Sequence, residues 1–235
     1  ITPELAELPP ADTKRPPRGV QVKTDYHMFG HFLFLQDLCI HVEKVRFFLD
    51  RDPGLASACL FANRDRVMNG TADVFSVAIG KVMTIEQKKT KKSVAERLVR
   101  RYLEAHPGLD EGQAKYEILQ EMLSPYVVTN SLHQEWVKYP FPDMGEPEKA
   151  ILMHTDSAPY DRGHLARLYG TVSLRGVDKF FMQVRRRLSI FERPIHTSNN
   201  QSRTWHGYSG YNPAVGMQLL TLFRVFYNYA LPGED

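Results

Sequence analysis

Apolar and polar positions first alternate at residues 20–23 (Val20, Gln21, Val22, Lys23), which predicts a short strand. Thr24 or Asp25 can then cap a helix running to about Cys39, with Phe29, Phe32, Leu33, Leu35 and Leu38 as its buried side. The apolar run at 44–49 (Val45, Arg46, Phe47, Phe48, Leu49) predicts a second strand, and it delivers Asp50 at its carboxyl end. Asp52 is a natural N-cap, Pro53 suits the first helical position and Asn69-Gly70 supplies a stop, so a helix is predicted over about 53–68. Residues 72–79 then read as a strand, and strand–helix–strand of this length predicts a βαβ unit with parallel strands.

The character changes from about 84 to 147. Ser93-x-x-Glu96 and Asp110-x-x-Gln113 both resemble helix starts. Val94, Leu98 and Tyr102 share one face, as do Ala114, Ile118 and Met122, and a third short helix is predicted near 131–137. A strand is predicted at 149–154, then strongly helical sequence over 164–191. There Val177, Phe181, Val184, Leu188 and Phe191 form an apolar stripe, with Asp178, Arg185 and Glu192 recurring along its edge. Residues 194–211, rich in Ser, Asn and Gly, predict a loop. Asn212-Pro213 opens a last helix, with Val215, Leu219, Leu222, Phe226 and Tyr229 facing inward.

The 235 residues suffice for one domain with an elaboration, or two small ones. A net charge of +3 permits a polyanionic partner without requiring one. Local clustering is sharper: Lys88, Lys89, Lys91, Lys92, Arg97, Arg100 and Arg101 crowd one stretch, and Arg185, Arg186 and Arg187 another. The two cysteines, Cys39 and Cys59, form no CxxC, so neither a structural zinc nor a disulfide framework is implied, and reduced thiols of a cytoplasmic protein are expected. No stretch approaches the ~18 apolar residues of a membrane span. Residues 1–19, with five prolines among charges, predict an extended linker.

The candidate chemistry starts from Asp50, a carboxylate aimed at the crevice beyond the carboxyl ends of strands in open α/β sheets. Since Asp52 fills the capping role, Asp50 is left for function. Asp178, a helical acid flanked by Arg175 and Lys179, is the second candidate. Two acids from different elements with arginines beside one of them suggest two-metal chemistry on a phosphodiester. Glu192 lies about 20 Å further along the helix and is a runner-up for the helical acid. Of Arg185, Arg186 and Arg187 at least one should reach phosphate. Trp205, with Arg203 nearby, could stack on unpaired bases, or the loop's aromatics could pin it to the core. His27 and His31 are spaced i, i+4 but lack the Glu of HExxH, and there is no glycine-rich phosphate loop and no GxSxG.

The string VDKFFMQVRRRLSIFERP beginning at Val177, RTWHGY beginning at Arg203 and FRVFYNY beginning at Phe223 resemble the C-terminal catalytic half of bacterial insertion-sequence transposases of the DDE superfamily. The strand ending in Asp50, followed by helix and strand, resembles the second-acid segment of their ribonuclease H-like core. The resemblance covers roughly 20–80 and 150–232. It implies a mixed sheet of about five strands flanked by helices, with core segments at 20–82 and 148–235 and a mostly helical insertion at 83–147. It also implies three acids binding two Mg²⁺ or Mn²⁺ ions, with Asp50 matching the second acid and Asp178 the third. The partners implied are the element's terminal repeats and target DNA, with a homo-oligomer as the active form and a nucleoid-associated location in the cytoplasm. The first acid should lie on a strand before 20–23. Asp25 is a poor substitute and reads better as a helix cap, so that acid is expected upstream of Ile1, or the chain is a decayed copy. Either way the chain as given is expected to be inactive. A metal-dependent nuclease of the same fold and a non-catalytic DNA-binding remnant are the competing expectations.

Overall fold

The computed structural model describes residues 24–80, 83–133, 135–191, 195–196, 204–205 and 212–231. The linker expected at 1–19 and the strand expected at 20–23 lie outside them. The chain divides into two compact units at 172/173, within the stretch expected to form the second part of the core.

In the first unit, helix α1 (Thr24–Leu38) leads to strand β1 (Val45–Asp50), helix α2 (Pro53–Ala62), helix α3 (Arg64–Met68) and strand β2 (Ala72–Ile79). β1 and β2 pair in parallel, with Phe47 opposite Val74, Phe48 opposite Phe75 and Asp50 opposite Val77, so the βαβ unit forms as its pattern predicts. Helices α4 (Ile85–Ala105) and α5 (Glu111–Thr129) follow, then strands β3 (Val137–Lys138) and β4 (Lys149–Met153) and helix α6 (Arg162–Thr171). β4 runs antiparallel to both β2 and β3, giving a four-stranded mixed sheet in the order β1-β2-β4-β3.

Side chains alternate between the sheet's faces with period two, and each face has its own helical layer. On one side Leu49 and Val74 pack with Phe32 of α1 and with Ala56, Ala58, Cys59 and Ala62 of α2, while Phe47 meets Phe32 edge-on. On the other, Phe48 packs against Phe75, which in turn meets Tyr169 of α6 edge-on. Phe75 and Tyr169 are wholly buried, and each such side chain contributes roughly 1.5–3 kcal/mol.

Several expectations need correction. The helix of 53–68 is two helices, because Asn63 leaves helical geometry to cap α2, its buried amide donating to the Cys59 carbonyl. α4 starts at Ile85 rather than near Ser93: Thr84 and Gln87 form the reciprocal capping box, and Ser93 is an exposed mid-helix residue. Asp110 and Gln113 do form the expected box at the head of α5. The short helix at 131–137 is absent among the described residues. Asn130 takes a left-handed conformation that ends α5, and buried Val137 pairs with β4 instead. Leu33 and Leu38 of α1 are exposed, while Met28, Phe29, Phe32 and Leu35 face the core.

The helical stretch at 164–191 is also divided. α6 ends at Thr171, where buried Val172 turns to extended geometry. In the second unit lie α7 (Arg175–Arg187), a 3-10 turn (Ser189–Phe191), the paired two-residue strands β5 (Ile195–His196) and β6 (Thr204–Trp205), and α8 (Pro213–Tyr229). Asn212 caps α8 by accepting from the Ala214 N–H. Its inward side is not the expected one: Val215, Leu222, Phe226 and Tyr229 are exposed, and Gly216 and Phe223 are buried. Phe180 of α7 packs on Phe223 and Tyr227, with ring centroids 5.9 and 5.1 Å away. A Cβ on Gly216 would come within 3.3 Å of the Phe191 ring, so a glycine here lets α8 approach closely. On α7 Val184 is buried and Val177 and Phe181 are exposed, while Leu188 just past its end and Phe191 in the 3-10 turn are half-buried; Phe180 takes the packing role expected of Phe181.

Candidate functional site

Asp50 is the last residue of β1, an edge strand, and its side chain is exposed. Its carboxylate accepts the Arg51 N–H at 2.8 Å. The cap of α2 is Asp52, whose Oδ1 accepts the Leu55 N–H at 3.0 Å, so the two neighbouring acids divide into a helix cap and a strand-end carboxylate.

A second acid on the same sheet face, Asp73, stands four residues before Val77, the register partner of Asp50. At the rise of a strand that is about 13 Å away. It is buried and fully engaged. Tyr160 Oη donates to it at 2.8 Å, and Lys44 Nζ and Arg46 Nε each approach at 3.4 Å. Asp73 therefore ties the starts of β1 and β2 together and cannot serve the opposite end.

Beyond the carboxyl ends of β1 and β2 lies a cleft of about 510 Å³. Arg51, Gly80, Lys91, Lys138 and Glu148 contribute polar atoms and backbone to it, and Val94, Tyr139 and three prolines give it apolar walls. The Arg51 guanidinium lies 5.5 Å from the centroid of Trp136, a cation–π contact that holds it at the mouth beside Asp50. Lys91 pairs with Glu148 across the cleft. Gly80 donates to the Glu148 carbonyl at 3.0 Å, and a Cβ there would lie 2.7 Å from Glu148 Oε2 and 2.9 Å from its Cβ. Only glycine lets the strand end pass so close to this segment.

The inner wall is anchored by Lys149, which donates to Glu146 Oε2 at 3.0 Å and to the Val172 carbonyl at 2.7 Å, with its ammonium 3.9 Å from the Tyr139 ring centroid. Burial holds its pKa below the usual lysine range, and the Glu146 carboxylate opposes that shift. Behind the sheet, His154 Nε2 and Ser76 Oγ are 2.7 Å apart, and burial lowers the imidazole pKa. Ser76 is buried on the face that packs against α1 and α2, which makes this pair a core contact rather than an exposed nucleophile.

In the second unit Asp178 sits in the first turn of α7 and is exposed. Arg185, Arg186 and Arg187 form the last turn of α7, where cations complement the helix dipole. Arg185 is half-buried, Arg186 and Arg187 are exposed, and the Arg187 guanidinium lies 5.8 Å from the Phe226 ring centroid. Three consecutive helical residues thus diverge, as their spacing requires. Asp25 lies in the first turn of α1, one residue past its start, so it does not occupy the cap position. Trp205 belongs to β6, while Glu192 and Arg203 lie outside the described residues.

No group of three or more His, Cys, Asp or Glu side chains able to hold a metal ion exists among the described residues. Asp50 and Asp178 each offer one carboxylate, from different units, and the described residues do not by themselves compose a metal site. No helix among them is long and apolar enough to cross a membrane. Comparison with known proteins finds no matching family, no matching curated protein and no matching solved structure.

Arg51, Trp136, Lys138 and Lys149 are site residues that no sequence motif marks. Lys138 reaches the cleft only because the two-residue strand β3 pairs with β4, and a run that short carries no period; Trp136, just before it, meets Arg51. The one available signal was the pair of adjacent acids, Asp50 and Asp52, of which a helix cap needs only one.

Proposed function

We propose that the chain is the catalytic-core portion of a DNA transposase of the DDE type, with a ribonuclease H-like core, cleaving and joining strands at the ends of its element. The observation that carries this reading is Asp50. It is a strand-end carboxylate beside a basic cleft, on a strand joined to its parallel neighbour by a helical crossover. Open sheets keep their chemistry at such a crevice. In this reading Asp50 takes the second-acid position and Asp178 the third, and the group they serve is a pair of Mg²⁺ or Mn²⁺ ions. Such ions supply Lewis acidity to a phosphodiester and lower the pKa of an attacking water or hydroxyl. The chain's own residues bind and orient the DNA. Arg51, held on Trp136, and Lys138 offer cations for phosphate at the cleft mouth, and Arg185 and Arg186 offer guanidinium groups for bidentate contact. The element's terminal repeats and target DNA are the partners, and a homo-oligomer is the active form.

The test is strand cleavage and strand transfer by the longest natural chain containing this sequence, with Mg²⁺ or Mn²⁺ and DNA bearing the element's ends. Asp50→Asn is expected to lower both rates by more than about a hundredfold, as loss of a metal ligand should, while duplex binding stays at the wild-type level. Cleavage that survives the substitution removes Asp50 from the chemistry. Cleavage without joining in the wild type moves the assignment to a nuclease of the same architecture. The concentration of positive charge on residues 88–101 favours a second reading, a non-catalytic DNA-binding remnant, for which no cleavage occurs and binding remains.

A further inference from the structure

Charge in this chain is concentrated on one helix. Residues 88–101 hold seven bases and one acid, a net +6, whereas the other residues, 23 basic and 26 acidic, net −3. All fourteen lie on α4, a 21-residue helix capped by Thr84 and Gln87. The remaining charges on that helix are few: Lys91 pairs with Glu148 and Lys92 with Glu96, and Glu86 and Glu104 stand near its two ends.

The exposed bases are ordered around the helix. At 100° per residue, Lys89, Arg97, Arg100 and Arg101 fall within a sector of about 120°. Ala95 and Val99, the buried residues of α4, lie on the opposite side. All four bases are exposed, and none makes an ion pair with another described residue. From Lys89 to Arg101 the sector runs about 18 Å along the axis. A small anion cannot span that length. Duplex DNA places one phosphate charge per ~1.7 Å of axis, so roughly ten phosphates face such a stretch.

The sector also leads somewhere. Thr90, Lys91 and Val94 of α4 line the cleft beyond β2, together with Arg51 and Lys138, so positive side chains continue from the helix to the neighbour of Asp50. A membrane surface fits less well. An interfacial helix buries an apolar face between flanking bases. Here Arg97 and Arg100 lie within the exposed sector, and the exposed apolar residues Ile85, Val94 and Leu98 fall outside it, about 40°, 20° and 60° past its edges.

We propose that the exposed face of α4, formed by Lys89, Arg97, Arg100 and Arg101, is a track for the sugar–phosphate backbone of duplex DNA that guides it into the cleft beside Asp50. The choice of DNA as the polyanion rests on the reading above; the track does not require the chemistry to be correct. Its contacts are to phosphate, so it carries affinity and register rather than sequence preference.

The test is fluorescence anisotropy of this chain on a labelled 30-base-pair duplex of random sequence, in EDTA, from 50 to 200 mM salt. The triple variant Arg97→Gln/Arg100→Gln/Arg101→Gln is expected to flatten the slope of log K against log salt by about 2.7, since each lost phosphate contact removes about 0.9. The triple lysine variant at the same positions should keep the wild-type slope. Far-UV circular dichroism and thermal unfolding verify that both variants fold. An unchanged slope in a folded glutamine variant overturns the proposal. So does a wild type that ignores the duplex, or one that prefers single-stranded RNA or phosphatidylserine vesicles to it. Asp50→Asn should leave the slope at the wild-type value, so failure of the catalytic reading and failure of the track give different results.

Discussion

Lys149 and Glu146 are both almost wholly buried, their side chains 5% and 3% exposed, and each satisfies the other's charge. Removing one partner leaves a buried charge without its counter-charge. Lys149→Met is expected to lower unfolding free energy by about 3–5 kcal/mol, and Lys149→Met/Glu146→Leu to recover most of that loss. Urea denaturation of the two variants measures both; a single variant within about 0.5 kcal/mol of wild type would show the pair to be dispensable. His154 makes a separate demand. Its folded pKa is depressed by burial, so below the unfolded value of about 6.5 the unfolded chain binds more protons than the folded one. Its stability contribution is present above pH 6.5 and is lost as pH falls through the folded pKa. The melting temperature should therefore drop between pH 7.5 and 5.5 by more in the wild type than in His154→Gln. Equal drops would remove His154 as the cause.

At the scale of elements, adjacent acids separate by role. Asp52→Ala should cost about 1 kcal/mol by uncapping α2, while Asp50→Asn, which keeps an acceptor for the Arg51 N–H, should stay within about 0.5 kcal/mol. Chemical denaturation compares the two, and a larger loss at Asp50 would make it a structural residue. Legibility followed the range of the interactions. The apolar runs of β1 and β2, the Asp110 box and the Asn212 cap are each written within a few consecutive residues and are plain in the pattern. The start of α4 was misjudged because two polar quartets compete for it, and Thr84-x-x-Gln87 lies the earlier of the two. Residues 131–137 resemble a helix only until β4 offers Val137 a partner. The helix predicted to run unbroken over 164–191 stops at Val172, a β-branched residue whose burial outweighs helical continuity.

Across the whole molecule, the α/β class and the strand that carries Asp50 were legible, and the surroundings of Asp50 were not. Arg51, Lys138 and Lys149 meet around the cleft through pairing of β4 with both β3 and β2, the latter about seventy residues earlier in the chain, which no local period encodes. The charge on α4 was visible as composition, but its confinement to one exposed sector required the helix boundaries. The proposal that most needs a direct test is that Asp50 and Asp178 are both ligands of the catalytic cations. Mn²⁺ binding, followed by the paramagnetic resonance of the free ion, addresses it most directly in the longest natural chain containing this sequence and in its Asp50→Asn and Asp178→Asn variants. The account predicts Mn²⁺ binding by the wild type and at least a roughly tenfold loss of affinity in each variant alone. A wild type that binds no Mn²⁺, or either variant binding it as the wild type does, would contradict the account.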